Sequence, residues 1–340
     1  MNDHTPDNHP SINYGKIGVL IINLGTPEAT DYWSVRRYLK EFLSDRRVVD
    51  TNRYLWWFIL NFIILSFRPS KSAKAYKAIW NKKDNESPLK TYTRSQSNLL
   101  KERFSKHKIS IDWAMRYGKP SIYEKLNQFR NSGIDRVLIF PLYPQYSAAT
   151  TASVQDEVFS VMKKMRWQPS IRTVPPYFDN PLYINALAES IQKNIDDLKW
   201  SPDILLTSYH GLPKRYLTLG DPYHCHCYKT TRLLREKITW FDKEIMLTFQ
   251  SRFGPEEWLQ PYTENTVVDL AKSGVKNLAM ISPAFISDCV ETLEELDIGI
   301  KEKFYEHGGK NFTLMPCMNH SDIAISMLKD ITLNELKGWI

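Results

Sequence analysis

Cysteine is scarce in this chain. Four thiols in 340 residues, Cys225, Cys227, Cys289 and Cys317, follow no disulfide framework, and a composition that is 42% hydrophobic and 24% charged excludes disorder, collagen and a disulfide-stapled scaffold. Free thiols in a reducing compartment are the expectation. Long apolar runs are missing as well. The longest, Tyr54 to Phe67, has 14 residues and spans about 21 Å as a helix, short of the roughly 30 Å hydrocarbon core of a bilayer. It is too short for a transmembrane helix. Met1 to Pro10 is polar, without the apolar stretch or small-residue cleavage site of a secretory leader, so a cytoplasmic location is expected. There is no Gly-x-Gly-x-x-Gly and no Walker-type Gly-Lys-Ser/Thr, which demotes dinucleotide and nucleoside triphosphate binding.

Charge is present, and unevenly so. The formal net charge is +7, yet Arg36 to Lys119 holds 20 Lys+Arg against 7 Asp+Glu, an excess of 13, which leaves the remainder of the chain at −6. The apolar stretch 54–67 lies inside this basic segment, bracketed by Arg53 and Arg68.

At this length two domains of about 150 residues are expected. Eight continuous apolar runs bounded by turn residues read as buried strands: 17–23, 109–116, 136–142 and 170–174 in the first half, 203–209, 244–250, 276–282 and 312–315 in the second. Runs without polar alternation suit parallel strands covered by helices on both faces. The expected fold is α/β, with two Rossmann-like domains that each carry a four-stranded parallel sheet. The boundary is placed at Pro175-Pro176, giving domains 1–175 and 176–340, with a last helix near 321–336 that packs back on either half. Ligands of open parallel sheets bind beyond the C-terminal strand ends, so facing halves predict a cleft between them.

Polar clusters fall at those strand ends. Asn23-Leu-Gly-Thr-Pro27 is a strand-to-helix turn, where Gly25 permits tight backbone and Pro27 suits a first helical turn; alone it reads as structural or as an anion site. Thr207-Ser-Tyr-His-Gly-Leu-Pro213 ends a buried strand on His210, either a hydrogen-bonded core histidine or a base and metal ligand. His224-Cys-His-Cys227 follows, but it lacks Cys-x-x-Cys spacing and a second cysteine pair, which argues against a closed zinc site. Asp288, Glu291 and Glu295 are spaced to share one helical face, as a solvated acidic face or as ligands of a divalent cation. Phe140-Pro-Leu-Tyr-Pro-Gln-Tyr-Ser147 is a stiff aromatic loop, suited to a flat apolar ligand or to a core edge.

Taken in order, Asn23-Leu-Gly-Thr-Pro27, Phe42-Leu-Ser-Asp-Arg-Arg-Val-Val-Asp50, Phe140 to Ser147, Ser208-Tyr-His-Gly-Leu-Pro213, Gly220-Asp-Pro-Tyr223, Phe249-Gln-Ser-Arg-Phe-Gly254 and Glu291-Thr-Leu-Glu-Glu-Leu296 resemble the ferrochelatases, over residues 16–330. The resemblance implies a lyase that inserts Fe²⁺ into protoporphyrin IX to form protoheme, with a porphyrin cleft between two chelatase-type domains. It implies that His210 and Glu291 are the catalytic and metal-handling pair, and that Lys90, Ser97, Tyr143, Tyr146 and Ser147 contact the porphyrin. Residues 54–67 would form an apolar lip at the pocket mouth, in transient contact with a membrane surface. Iron is then a substrate. Some relatives bind a [2Fe-2S] cluster through a cysteine-rich extension, but Cys317 is the last cysteine here, so no cluster and no other cofactor is expected. The sequence departs from the family pattern at Cys289, where many members carry a second histidine, and at Gly299, where an acid would continue the line of Glu291 and Glu295. The alternatives are a coproporphyrin III ferrochelatase or a cobalt chelatase of the same fold. A nucleic-acid binder built on the basic segment is a rival of another class, and nucleic acid is not expected as a partner.

Overall fold

The computed structural model describes residues 15–340, so the reading of Met1 to Pro10 lies outside the described residues. Strands β1 (Lys16–Gly25), β2 (Ile109–Tyr117), β3 (Ile134–Pro141) and β4 (Ser170–Thr173) form one sheet, in the order β2-β1-β3-β4. Strands β5 (Ile204–His210), β6 (Glu244–Gln250), β7 (Asn277–Ile281) and β8 (Asn311–Leu314) repeat that order as β6-β5-β7-β8. Every pairing is parallel. All eight strands fall on the apolar runs, because both faces of each sheet are covered. Val19 and Ile21 of β1 face one core while Leu20 and Ile22 face the other, the period of two expected of a strand.

The first of these cores is continuous between the halves. Leu138 and Phe140 of the first sheet, Leu205 and Ile281 of the second, and Tyr183 and Leu328 on helices between them belong to one buried cluster. The outer faces close separately, under Leu126 and Val158 on one sheet and under Val267 and Phe304 on the other. The closing helix Asp322–Glu335 rests on helices Pro88–Arg103 and Pro181–Asp196. Past its end, Arg172 donates to the carbonyls of Glu335 and Lys337, at 3.0 and 2.9 Å.

In each order the chain leaves the first strand toward one neighbour and returns to the other, so β1/β3 and β5/β7 are switch points whose C-terminal ends open a crevice. These ends are tightly built. Gly25 closes β1 at φ 119°, where an added Cβ would lie 1.9 Å from the Tyr117 carbonyl oxygen. Beside it, Asp45 ends the helix Tyr32–Ser44 and gathers the first-half loops. One carboxylate oxygen accepts from Arg116 at 2.6 Å, Tyr117 at 2.8 Å and Ser153 at 2.6 Å, and the other from the Arg47 backbone at 2.8 Å.

The apolar stretch is not one regular helix. Asn52 caps Arg53–Phe58, the backbone widens to a π-helical turn over Ile59–Ile64, and an α-helix resumes over Leu65–Ile79. A spacing of five points two residues apart on an α-helix, but an i→i+5 turn lets Leu60 and Leu65 both pack inward beside Tyr38 and Tyr76. Tyr54, Phe62 and Phe67 stay outside, 80, 63 and 76% exposed.

Burial pushes Asp45 up, but the hydrogen bonds from Ser153, Arg47 and Tyr117 and the Arg116 charge outweigh it and hold the carboxyl below its usual 3.8. Its stabilising contribution is therefore present above that value and lost on acidification through the lower, folded-state value. Replacing Asp45 with Ala strands the half-buried Arg116 and is expected to lower the unfolding free energy by about 3 kcal/mol at neutral pH. The gap from wild type should narrow in acid, as read by urea melts at both pH values.

Candidate active site at the ends of β5 and β7

His210 is the last residue of β5 and pairs with Gln250 at the end of β6. Its Nδ1 lies 2.7 Å from the Gly211 carbonyl oxygen. A carbonyl only accepts, so Nδ1 carries the proton, and in the neutral ring the Nε2 lone pair is free. Gly211 is required next in sequence, since a Cβ there would meet the Gln250 carbonyl oxygen at 2.7 Å and Trp258 at 3.1 Å.

The chain after β7 is hung on these strand ends. The Gln250 side chain accepts from the Ser208 hydroxyl at 2.8 Å and donates to the Glu291 carbonyl at 2.8 Å. The Glu295 carboxylate takes both the backbone N–H and the hydroxyl of Ser251, at 2.7 and 2.6 Å. Ser251 holds this pose with φ 65°, a left-handed conformation unusual for serine. Burial raises Glu295 above the usual carboxylate value; Ser251 and His210 pull it down, and Glu291 pushes it up. A cavity of about 410 Å³ opens beyond it, lined among others by Ser251, Glu294, Gly299 and Lys303.

Asp288 does not join this acidic face, as its spacing had led us to expect. The helix starts only at Val290, and Asp288 folds inward, 3% exposed, accepting from Thr292 at 3.0 Å, Asn319 at 2.6 Å and the Cys317 backbone at 3.3 Å. Gln96 of the first half braces the same segment through Ser287 and the Asn319 carbonyl, at 3.0 and 2.6 Å. Cys289 caps the helix, and burial first, then Glu291, pushes its thiol well up, so it stands beside Glu291 as a protonated thiol.

The opposite wall comes from the first half. Val290 packs against the cluster that holds Tyr38 and Tyr76, whose rings meet edge to face at 6.2 Å. Burial, followed for Tyr76 by the Glu291 charge, raises both phenols, so they are un-ionised donors. Arg68, at the base of the lip, stacks 4.7 Å over Phe253 of the second half. Burial lowers its guanidinium, opposed first by Glu291, and among the described residues no carboxylate is within ion-pair distance of it. Sequence reasoning noted Arg68 only as the bracket of an apolar run and missed Tyr38 and Tyr76, which reach Glu291 only through the tertiary fold.

The remaining sequence-derived residues are scattered. Lys90 pairs with Glu28 at 2.8 Å, and Ser97 is wholly buried with its hydroxyl unpartnered. The Tyr143 phenol also lacks a partner. The Tyr146 backbone donates to His226 at 3.2 Å, and the Ser147 hydroxyl donates to Asp221 at 3.1 Å. Among the described residues no three of His, Cys, Asp and Glu gather closely enough to cage an ion.

The family model described as ferrochelatase matches residues 16–336. A ferrochelatase of Allorhizobium ampelinum is 53% identical over 99% of this chain and 98% of its own length. One from Rhizobium meliloti is 54% identical over 98% of both chains. Among solved structures, SirB from Bacillus subtilis with Fe³⁺ matches with a TM-score of 0.58 at 10% identity, covering 95% of this chain and 96% of that one. CbiX, the terminal enzyme for biosynthesis of siroheme in denitrifying bacteria, matches at 0.51 and 13%, covering 94% and 100%. At such identities these two establish the chelatase-type fold alone.

The raised Glu295 carboxyl has a consequence for stability. A carboxyl whose folded value exceeds its usual 4.5 favours the folded state below that value, and the advantage is lost as pH rises through the folded one. Replacing Glu295 with Gln removes the titration. The variant should gain on wild type in unfolding free energy as the pH is raised from about 4 to 7, measured by denaturant melts.

Proposed function

The chain belongs to the ferrochelatase family and inserts Fe²⁺ into protoporphyrin IX, releasing two protons, and we propose that this exchange takes place between His210 and Glu291. One observation carries the assignment: an imidazole with a free Nε2 and the carboxylate pair Glu291 and Glu295 lie at the β5/β7 switch point, near the Arg68 guanidinium, which has no ion-pair partner among the described residues. The coproporphyrin III and cobalt alternatives gain no support from relatives that are themselves named ferrochelatases.

The reaction needs Fe²⁺ stripped of water, two pyrrole N–H protons removed, and nitrogen lone pairs that a flat ring points at its own centre. Oxygen and imidazole donors suit ferrous iron, so Glu291 positions the metal and carries protons outward while the Nε2 of His210 accepts a pyrrole proton or passes the ion on, and both pyrrole protons leave to solvent through this pair. Bending the macrocycle exposes its lone pairs, and binding energy from the remote ring edges offsets that strain. Arg68 supplies part of this energy: a desolvated guanidinium without a carboxylate partner suits a porphyrin propionate. Tyr143 and Tyr146 line the ring with Lys90 beside it, while Ser97, wholly buried, shapes the wall behind. Ser147, whose hydroxyl is taken by Asp221, shapes the loop rather than meeting the ligand.

The lip would serve the same substrate. Tyr54, Trp57, Phe58, Phe62 and Phe67 are all more than half exposed, and Lys71, Lys74 and Lys77 follow on the next helix. No helix among the described residues is long and apolar enough to cross a membrane. Aromatic side chains beside basic ones suit instead the surface of an anionic bilayer, from which an apolar disc could be taken up.

Anaerobic incubation with Fe²⁺ and protoporphyrin IX, followed by loss of porphyrin fluorescence, tests the site. His210→Ala and Glu291→Gln are each expected to slow insertion by about 100-fold or more. If both kept the wild-type rate, the assignment would be wrong. Arg68→Ala should lower kcat/KM for porphyrin by about tenfold, with part of the loss in kcat because its binding energy offsets ring strain. The lip is tested by sedimentation with phosphatidylglycerol vesicles, where Trp57→Ser combined with Phe62→Ser should abolish binding that wild type shows at low salt.

A further inference from the structure

Two motifs remain outside this site, Gly220-Asp-Pro-Tyr223 and His224-Cys-His-Cys227. Both lie at the start of the helix Tyr223–Lys237, one face of which meets the loop that follows β3 in the opposite half. The contacts are polar. Asp221 accepts from the Ser147 hydroxyl at 3.1 Å and the Ala148 N–H at 2.7 Å with one oxygen, and from the Tyr223 N–H at 3.0 Å with the other. Gln145 donates its amide to the Thr230 hydroxyl at 3.1 Å, and Thr230 donates onward to the Phe178 carbonyl at 2.7 Å. Between them, the Tyr146 N–H donates to Nδ1 of His226 at 3.2 Å. The His226 ring lies flat on Phe178, centroid to centroid 3.6 Å with 8° between planes. Four consecutive residues, 145–148, are thus held from across the cleft.

We infer that Asp221 and the neutral His226 are positioning residues for the macrocycle, fixing the porphyrin-side loop 143–148 from the opposite half. The inference rests on the proposed role of that loop as a pocket wall. A backbone N–H can only donate, so Nδ1 of His226 must offer its lone pair and the ring proton must sit on Nε2. Protonation would set a second donor against the Tyr146 N–H and release the loop. The charged groups that face the ring are Asp179 and Asp221, which favour the cation, and Lys229, which opposes it; burial, with Lys229 acting in the same direction, outweighs the two carboxylates and holds His226 below the ordinary imidazole value. The clamp is therefore complete above about pH 6.5 and weakens as pH falls toward the lower folded-state value. His210 and Glu291 have no part in it.

Three proteins decide the point: the full chain, His226→Gln and Asp221→Asn. Glutamine offers the same N–H an acceptor oxygen that does not titrate. Protoporphyrin IX dissociation constants come from fluorescence titration between about pH 5 and 8, with Zn²⁺ insertion at saturating porphyrin measured alongside. Wild type should lose about fivefold more porphyrin affinity than His226→Gln across that range, with the two equal at the alkaline end. Asp221→Asn should bind about fivefold more weakly at every pH, with kcat preserved. Superimposable pH profiles for wild type and His226→Gln, or an Asp221→Asn variant that loses kcat at unchanged affinity, would overturn the clamp and leave the porphyrin site standing. Wild type that bound no protoporphyrin at any pH would overturn the proposed pocket and the clamp with it.

Discussion

The side-chain amide of Gln250 joins three strand ends. Its oxygen takes the Ser208 hydroxyl from β5, its nitrogen gives to the Glu291 carbonyl beyond β7, and its backbone carbonyl accepts the Gly211 N–H immediately after His210. The residue is 4% exposed, so leaving its own polar groups unpaired would carry a desolvation penalty. His210 and Glu291 come from segments about eighty residues apart. One buried amide sets their relation, and with it the place where the proposed mechanism brings a metal and a pyrrole nitrogen together. Around it Ser251, Thr263 and Thr248 extend the same network, and Glu295 is fastened by Ser251 rather than left to swing.

The charge asymmetry of the chain acquires a location in this frame. The basic excess between Arg36 and Lys119 surrounds the lip and reaches inward as Arg68, while the carboxylates 291, 294 and 295 belong to the second half. A disc with two carboxylates at one edge and a cation bound for its centre need opposite fields at opposite walls. Cys289 fits the acidic side in an unexpected way. Where many family members have a histidine, a protonated thiol caps the helix of Glu291, and Tyr38 and Tyr76 supply un-ionised donors nearby. With neutral groups in place of a second imidazole, the proposed mechanism assigns the role of base to His210.

The strands were legible because parallel sheets buried on both faces write themselves as unbroken apolar runs, and β1 to β8 fall where those runs lie. What failed depended on a local geometry that residue types do not announce. Asp288 has the spacing of a helical face, but the helix begins two residues later and the carboxylate serves Asn319 and Cys317. The wide turn at 59–64 has no sequence signature, yet it lets Leu60 and Leu65 anchor a lip whose aromatic residues face outward. His210 and Glu291 could be named as candidates because each ends or follows a strand in a recognisable motif. Arg68, Tyr38 and Tyr76 could not, because their relation to Glu291 exists only once the halves have closed.

The two halves divide the work unequally, and the seam between them explains why they are not free to part. Distorting a porphyrin requires walls that do not yield, since strain placed on the ring is returned to the protein. A hinge held by one shared apolar core would slide; the seam here is also pinned by directional bonds, from Gln96 to Ser287 and Asn319 on one side and from residues 145–148 to Asp221, His226 and Thr230 on the other. Each is individually modest, about 1 kcal/mol, but together they fix rotation as well as distance. In the proposed mechanism this holds the wall of His210 and Glu291 and the wall of loop 143–148 in register, and the seam at 145–148 includes an imidazole, His226, that burial holds below its ordinary value.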